Sequence, residues 1–374
     1  MIDFRYHLVS LVAVFIALAV GITLGAGPLR GQLSDTLEGQ VAELGTERNA
    51  LRSQVELHER RAADKDEAVT SMTPAAVADL LPDIRVAVLE MPDADGELAD
   101  ELTVTLAGAG AQLVTRTEVR SAWETTGDRE TRQEAVTEAA TLLGVEDDPA
   151  AVLAAVVTGT TPAGDMVVAG SAASLLEQAD LISLLRTDEA GEPQLPGALD
   201  PTPPDVVVVV AGGLERPPED EPDLVAQTQT TLEGRLGIVR ALQESPAPVL
   251  VVGAGTESWQ DPVTDAEDLL VAAVRDDGDL DGEVSTVDNV ESATGRLATA
   301  WALAWELAGE TGHYGLAASA EGPVPAAPPA REATADPSEP GPTGPGAAPS
   351  VPGPGTEDGD SGDDDPDDDA QSAP

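Results

Sequence analysis

The alternation of apolar and polar positions changes rhythm three times along the chain. From Leu8 to Ala26 no charged residue occurs, and only Ser10 and Thr23 are clearly polar. A helix that is apolar on every side is not a surface helix, and about 20 such residues cross the core of a bilayer. Residues 1–29 therefore predict a membrane anchor with a transmembrane helix over 8–26. A cleaved signal peptide has a shorter core of roughly 7–15 residues and a small-x-small cleavage site. Here the best small pair, Gly25 and Gly27, would leave Pro28 just after the cut, so the segment reads as retained.

Over 30–72 the rhythm becomes a heptad. Leu37, Leu44, Leu51 and His58 fall at one seam position, and Val41, Arg48, Val55 and Ala62 fall four residues later. An apolar repeat of 3.5 residues keeps one seam facing another helix. The segment predicts a coiled-coil stalk with Leu37, Val41, Leu44, Leu51 and Val55 as its apolar seam, open to self-association or to a partner helix. Thr73-Pro74 is expected to break the helix.

From residue 82 the pattern alternates again. Ile84–Leu89 reads as a buried strand, Glu97–Ala111 as a helix and Gln112–Thr115 as a second strand, the βαβ order of a parallel sheet. Helices are expected over 129–144, 149–159, 171–185, 223–244, 264–275 and 293–310. Strands are expected at Asp205–Ala211, Val249–Gly253 and Val284–Val287. The continuous valines of 206–210 mark a strand buried on both faces. Residues 82–316 predict a Rossmann-like three-layer α/β domain with a mainly parallel sheet. Residues 317–374 are rich in proline, glycine and alanine and end in an acidic run, Glu357–Asp369. They lack the apolar surface to offset their ordering entropy and predict a disordered tail.

Charge narrows the functions. The formal net charge is −50, with one lysine, Lys65, against 18 arginines. Nucleic-acid binding needs a basic face and is excluded. Arg5 and the α-amino group precede the apolar run, whereas Arg30 is soon outnumbered by Asp35, Glu38 and Glu43. Positive charge stays on the cytoplasmic side, so the N-terminus is expected inside and the bulk of the chain exported.

Three sequence strings stand out beyond these patterns. They are MIDFRYHLVSLVAVFIALAVGITLGAGPL at the start, Ser285-Thr-Val-Asp288-Asn289-Val290, and Gly312-His313-Tyr314-Gly315 after the last helix. In these strings, and in the order of parts over roughly residues 1–316, the chain resembles the MctB-like copper transporter family of actinobacteria. That resemblance implies an envelope membrane protein of copper efflux and homeostasis, with copper as a transported ion.

The residues supply little metal or catalytic chemistry of their own. Copper(I) prefers thiolate and thioether ligands and copper(II) imidazole. The chain has no cysteine, and its histidines are His7, His58 and His313. Its methionines (Met1, Met72, Met91, Met166) lie far apart in sequence. A dedicated copper site within one chain is not expected, and His313 is the one weak candidate for a metal ligand. Gly253-Ala254-Gly255 follows a strand, but Ser258 stands where the nucleotide fingerprint needs its third glycine. No G-x-S-x-G elbow occurs. No cofactor and no enzymatic activity are expected.

Asp288, Asn289, His313 and Tyr314 flank the last helix and form the best candidate site, for a partner or for structure. Asn289 or Ser292 is expected to cap that helix and Asp288 to favour its positive end. Gly312 is expected to stop it, with His313 at its negative end. Trp301 and Trp305, one turn apart, are expected to pack on the sheet. Three readings result: copper efflux by resemblance, a non-enzymatic coiled-coil scaffold or regulator of cell-wall growth or division by architecture, and an envelope hydrolase or nucleotide-binding enzyme.

Overall fold

The computed structural model describes residues 4–26, 28–125, 129–162, 166–185, 203–214, 216–218, 220–255 and 268–328, the side chains of 24–39, 166 and 185 excepted. Helix α1 (Phe4–Ala26) is the apolar run. Among the described residues it is the one helix long and apolar enough to cross a membrane, and none of that span is buried against protein.

Helix α2 (Pro28–Val77) follows, 50 residues long. The break expected at Thr73-Pro74 does not occur, because Pro74 lies inside the helix within a turn of its end. A proline there removes one N–H and crowds the preceding turn. Tertiary packing offsets this cost. Val77, Leu80 and Leu81 are buried, and the Trp301 Nε1–H donates to the Ala76 carbonyl at 3.2 Å.

Seven strands form one sheet: β1 (Arg85–Glu90), β2 (Gln112–Val119), β3 (Ile182–Leu185), β4 (Val206–Val210), β5 (Val249–Val252), β6 (Ser285–Val287) and β7 (His313–Tyr314). Their order is β3-β2-β1-β4-β5-β6-β7. Every pairing is parallel except β2 with β3. Side chains alternate between the two faces, as the two-residue period of a strand requires. Ala87, Leu89, Val207, Val209, Val249 and Val251 pack beneath α4 (Arg129–Leu143), α5 (Pro149–Thr158), α6 (Met166–Gln178), α7 (Pro222–Gln243) and α8 (Leu269–Asp276). Val86, Val88, Val206, Val208, Val210, Leu250 and Val252 pack beneath α3 (Gly96–Gly108), α9 (Ala293–Glu306) and the end of α2. The five valines of β4 are essentially inaccessible. Burial of each contributes about 1.5–3 kcal/mol, which makes β4 the spine of the domain.

The helix expected over 171–185 is in fact a helix and a strand. α6 ends at Gln178, and the edge strand β3 pairs antiparallel with β2. Between them Asp180 adopts φ +55°, a left-handed conformation that Asp tolerates better than most residues. β2 runs on to Val119, and β7 is a two-residue strand with no periodic signature. α9 stops at Glu306 rather than 310, with Gly309 at φ +85° just beyond it. Of the helix expected at 264–275, residues 264–267 lie outside the described residues.

The chain expected to leave the fold at 317 stays on it through 326. Ser319 Oγ accepts from Arg275 at 2.8 Å, and the Ala326 carbonyl accepts from Trp305 Nε1 at 2.8 Å. The buried Arg275 and the half-buried Trp305 hold this stretch. The remainder of the tail, 329–374, lies outside the described residues.

Candidate functional site

In open α/β sheets, ligands bind beyond the carboxyl ends of the strands where the strand order reverses. Here that point lies between β1 and β4, and protein fills it. Arg235, on α7 and 2% exposed, reaches across it. Its guanidinium donates to the Gly212 and Pro92 carbonyls and forms a bidentate pair with Glu124 at 2.7 and 3.0 Å. The backbone closes the same crevice, since a Cβ on Gly212 would lie 1.8 Å from the Pro92 oxygen. Gly253 likewise admits α8, as a Cβ there would lie 2.7 Å from Val271 Cγ2. These glycines permit close packing of the chain on itself, not the approach of a phosphate.

The two motif strings meet at the other side of the sheet, around β6 and β7. Asp288 is 1% exposed. Its carboxylate accepts from Arg275 Nη1 at 3.1 Å and from the backbone N–H groups of Leu316 and Ala317. Arg275 is the hub. Besides Asp288, it donates to Thr286 Oγ1 at 2.7 Å, Ser319 Oγ at 2.8 Å and the Tyr314 carbonyl at 2.8 Å. Gly315 must be glycine, because its φ is +135° and a Cβ would sit 2.1 Å from the Asp288 carboxylate. Asp288, with Arg275, therefore pins the 315–319 loop, and its hydrogen bonds go to Arg275 and this loop.

Capping falls to Ser292, whose Oγ accepts from the Gly295 N–H at 3.0 Å. Asn289 is left-handed at φ +60° and donates from Nδ2 to Ser292 Oγ at 2.9 Å. Its buried Oδ1 has no partner among the described residues. The α9 backbone approaches closely here, since a Cβ on Gly295 would lie 2.1 Å from the Asn289 oxygen. His313 does not sit at the negative end of α9. It lies on β7, with Nδ1 3.0 Å from Thr286 Oγ1 and Nε2 3.0 Å from Asp281 Oδ1. Both ring nitrogens thus have protein partners. The Tyr314 ring packs against Gly312, where a Cβ would meet its hydroxyl at 2.3 Å. Burial, then Glu321, Glu306 and Glu310, push the Tyr314 phenol upward. Among the described residues no group of three or more His, Asp or Glu side chains could hold a metal ion.

At the opposite, amino edge of these strands, Glu306 is 7% exposed. It accepts from Ser285 Oγ, which in turn accepts from the Gly312 N–H at 3.2 Å. Glu306 and Glu283 line a cavity of about 260 Å³. Desolvation raises the Glu306 carboxyl to about 7, against the lowering effect of its hydrogen bond from Ser285.

The seam residues behave differently. Val41 (68%), Leu44 (63%), Leu51 (55%) and Val55 (54%) are exposed along α2; the Leu37 side chain lies outside the described residues. Farther along, α2 turns to the domain. Asp66 Oδ1 accepts from the Ala293 N–H at 2.7 Å, adding a second cap to α9. Trp301 is half-buried against the core layer over β1, β4 and β5, with its Nε1 bonding the Ala76 carbonyl, and Trp305 Nε1 bonds the Ala326 carbonyl. Sequence reasoning passed over Arg275, Arg235, Asp66 and Glu306. The one local signal was a lone charge on an otherwise apolar helix face, as at Arg275 in LLVAAVRD.

Residues 1–325 match the family described as "Copper transport outer membrane protein, MctB". Proteins named "Copper transporter MctB" from Mycobacterium tuberculosis (strain ATCC 25618 / H37Rv) and Mycobacterium bovis (strain ATCC BAA-935 / AF2122/97) are each 25% identical over 325 residues. These matches cover 84% of this chain and 96% of each relative. The match takes in the apolar helix, the long helix and the sheet with both motif strings and the loop they pin, and the chain belongs to the MctB family.

Proposed function

We propose that this chain is a membrane-anchored envelope protein of copper efflux and homeostasis, working as an oligomer. The observation that carries the reading is the match along 96% of the length of relatives named copper transporters. The N-terminus lies in the cytoplasm and the α/β domain is exported, as the placement of Arg5 before the span favours. A single helix cannot line a path for an ion, so the path, or any copper ligands, must be shared between chains. The domain is a non-catalytic body. In support, Arg235 and touching backbone occupy the crevice where α/β enzymes bind their ligands.

A second reading is a scaffold or regulator of wall growth or division, favoured by the exposed seam on α2. The experiment that separates the two is a deletion strain scored for cell-associated copper, copper tolerance and cell shape. Raised copper and lost tolerance with normal shape support efflux. Normal copper with septation or wall defects overturns it in favour of the scaffold.

A further inference from the structure

The apolar stripe on α2 carries enough information to name what covers it. In the standard lettering of a heptad, Val41, Arg48, Val55 and Ala62 take position a, and Leu44, Leu51 and His58 take position d. β-branched residues at a with leucine at d favour two parallel strands. Val41, Leu44, Leu51 and Val55 are each more than half exposed, within about 20 Å of helix at 1.5 Å per residue. Exposed apolar residues on the α/β domain, such as Val104, Val167 and Leu316, lie on separate elements.

The flanking charges select the partner. Glu47 is at g and Arg52 at the following e, the positions that face each other across a parallel, in-register pair. Two copies would form this Glu47–Arg52 contact twice, once on each side of the seam. Glu47 also flanks the a layer of the other copy, where it offsets the charge of the interrupting Arg48. The stripe ends where self-pairing would have to stop. Lys65 takes the next d position, and at Asp66 the helix begins to cap α9 of its own chain. From Val41 to Ala62 the seam extends about 33 Å.

We propose that the occupant of this stripe is a second copy of the chain, paired in parallel and in register over residues 41–62. Both anchors of such a pair enter the membrane from the same side, and the two α/β domains sit at the same height. This deepens the oligomeric part of the reading above, and its test does not depend on any copper phenotype.

The chain has no cysteine, so a single introduced thiol reports only contact between chains. Leu51→Cys at d and Ser53→Cys at the outward f position are compared in the full-length protein, in native membranes and purified in detergent, under mild oxidation. Retained thermal melting of the α/β domain confirms that each variant is folded. The expected result is a covalent dimer of twice the chain mass for Leu51→Cys and at least tenfold less for Ser53→Cys. Equal yields at the two positions, or no dimer at Leu51, overturn the parallel in-register pair. An adduct of Leu51→Cys with a different protein in membranes overturns the second copy as occupant.

Discussion

One helix, α2, has two opposite fates along its length. Over 41–62 its apolar side chains stand exposed, as at Leu44 and Leu51. Over 66–77 the same helix is bound to its own domain. Asp66 caps α9, Trp301 caps the carbonyl of Ala76, and Val77 is buried. The buried end tolerates a proline, while the seam side chains of the exposed stretch are left uncovered by the described residues. The contrast separates what holds the fold from what is left for association. The motif residues belong to the first group: Asp288, Asn289, His313 and Tyr314 each contact the domain's own groups.

The largest effect should come from breaking the motif corner. Asp288→Ala leaves Arg275 buried without its carboxylate, and removing one partner of such a pair costs about 3–5 kcal/mol. The variant should lower the melting temperature of the domain markedly, as followed by circular dichroism, while the helicity of the stalk persists. Unchanged melting would return Asp288 to consideration as a ligand or partner residue.

Glu306 gives a pH-dependent effect with a definite sign. Its carboxyl titrates at about 7 in the folded chain, against about 4.3 for an unperturbed glutamate. The folded state therefore holds this proton longer than the unfolded one. Stability falls as pH rises from about 4 to about 7 and is then level with respect to this group. Glu306→Gln should remove that slope, leaving stability near pH 4 unchanged and raising it at pH 8 by about 1–3 kcal/mol. Paired denaturation curves at the two pH values check the sign.

A smaller loss is expected at the joint between the two stretches of α2. Asp66→Ala removes a cap from α9 and should cost about 1 kcal/mol, read as a small drop in denaturation midpoint. The smallest effect on the domain belongs to the seam. Leu44→Asp should leave domain stability within about 0.5 kcal/mol while abolishing the larger species in sedimentation. If it unfolded the domain instead, the two stretches would not be independent.

Much of this was legible from local pattern. The apolar run of α1 shows in composition alone, and the valine strands of β1, β4 and β5 carry a pattern that packing preserves. What was not legible depends on contacts distant in sequence. β3 follows α6 with no proline or glycine to mark the change, and only pairing with β2 makes Ile182–Leu185 a strand. Pro74 signals a break that burial of Val77 and Leu81 overrides. Asp288 and Asn289 read naturally as helix-capping residues, yet Asp288 is claimed by Arg275, which lies on another helix. His313 read as a helix terminus because nothing local reveals that Thr286 and Asp281 flank it.

The measurement that tests the account most directly is complementation of a deletion strain with the full-length chain or with Leu44→Asp, read as copper tolerance and cell-associated copper. The account predicts that the unaltered chain restores both, while the seam variant, folded and membrane-bound at equal abundance, restores neither. Full rescue by Leu44→Asp would contradict it.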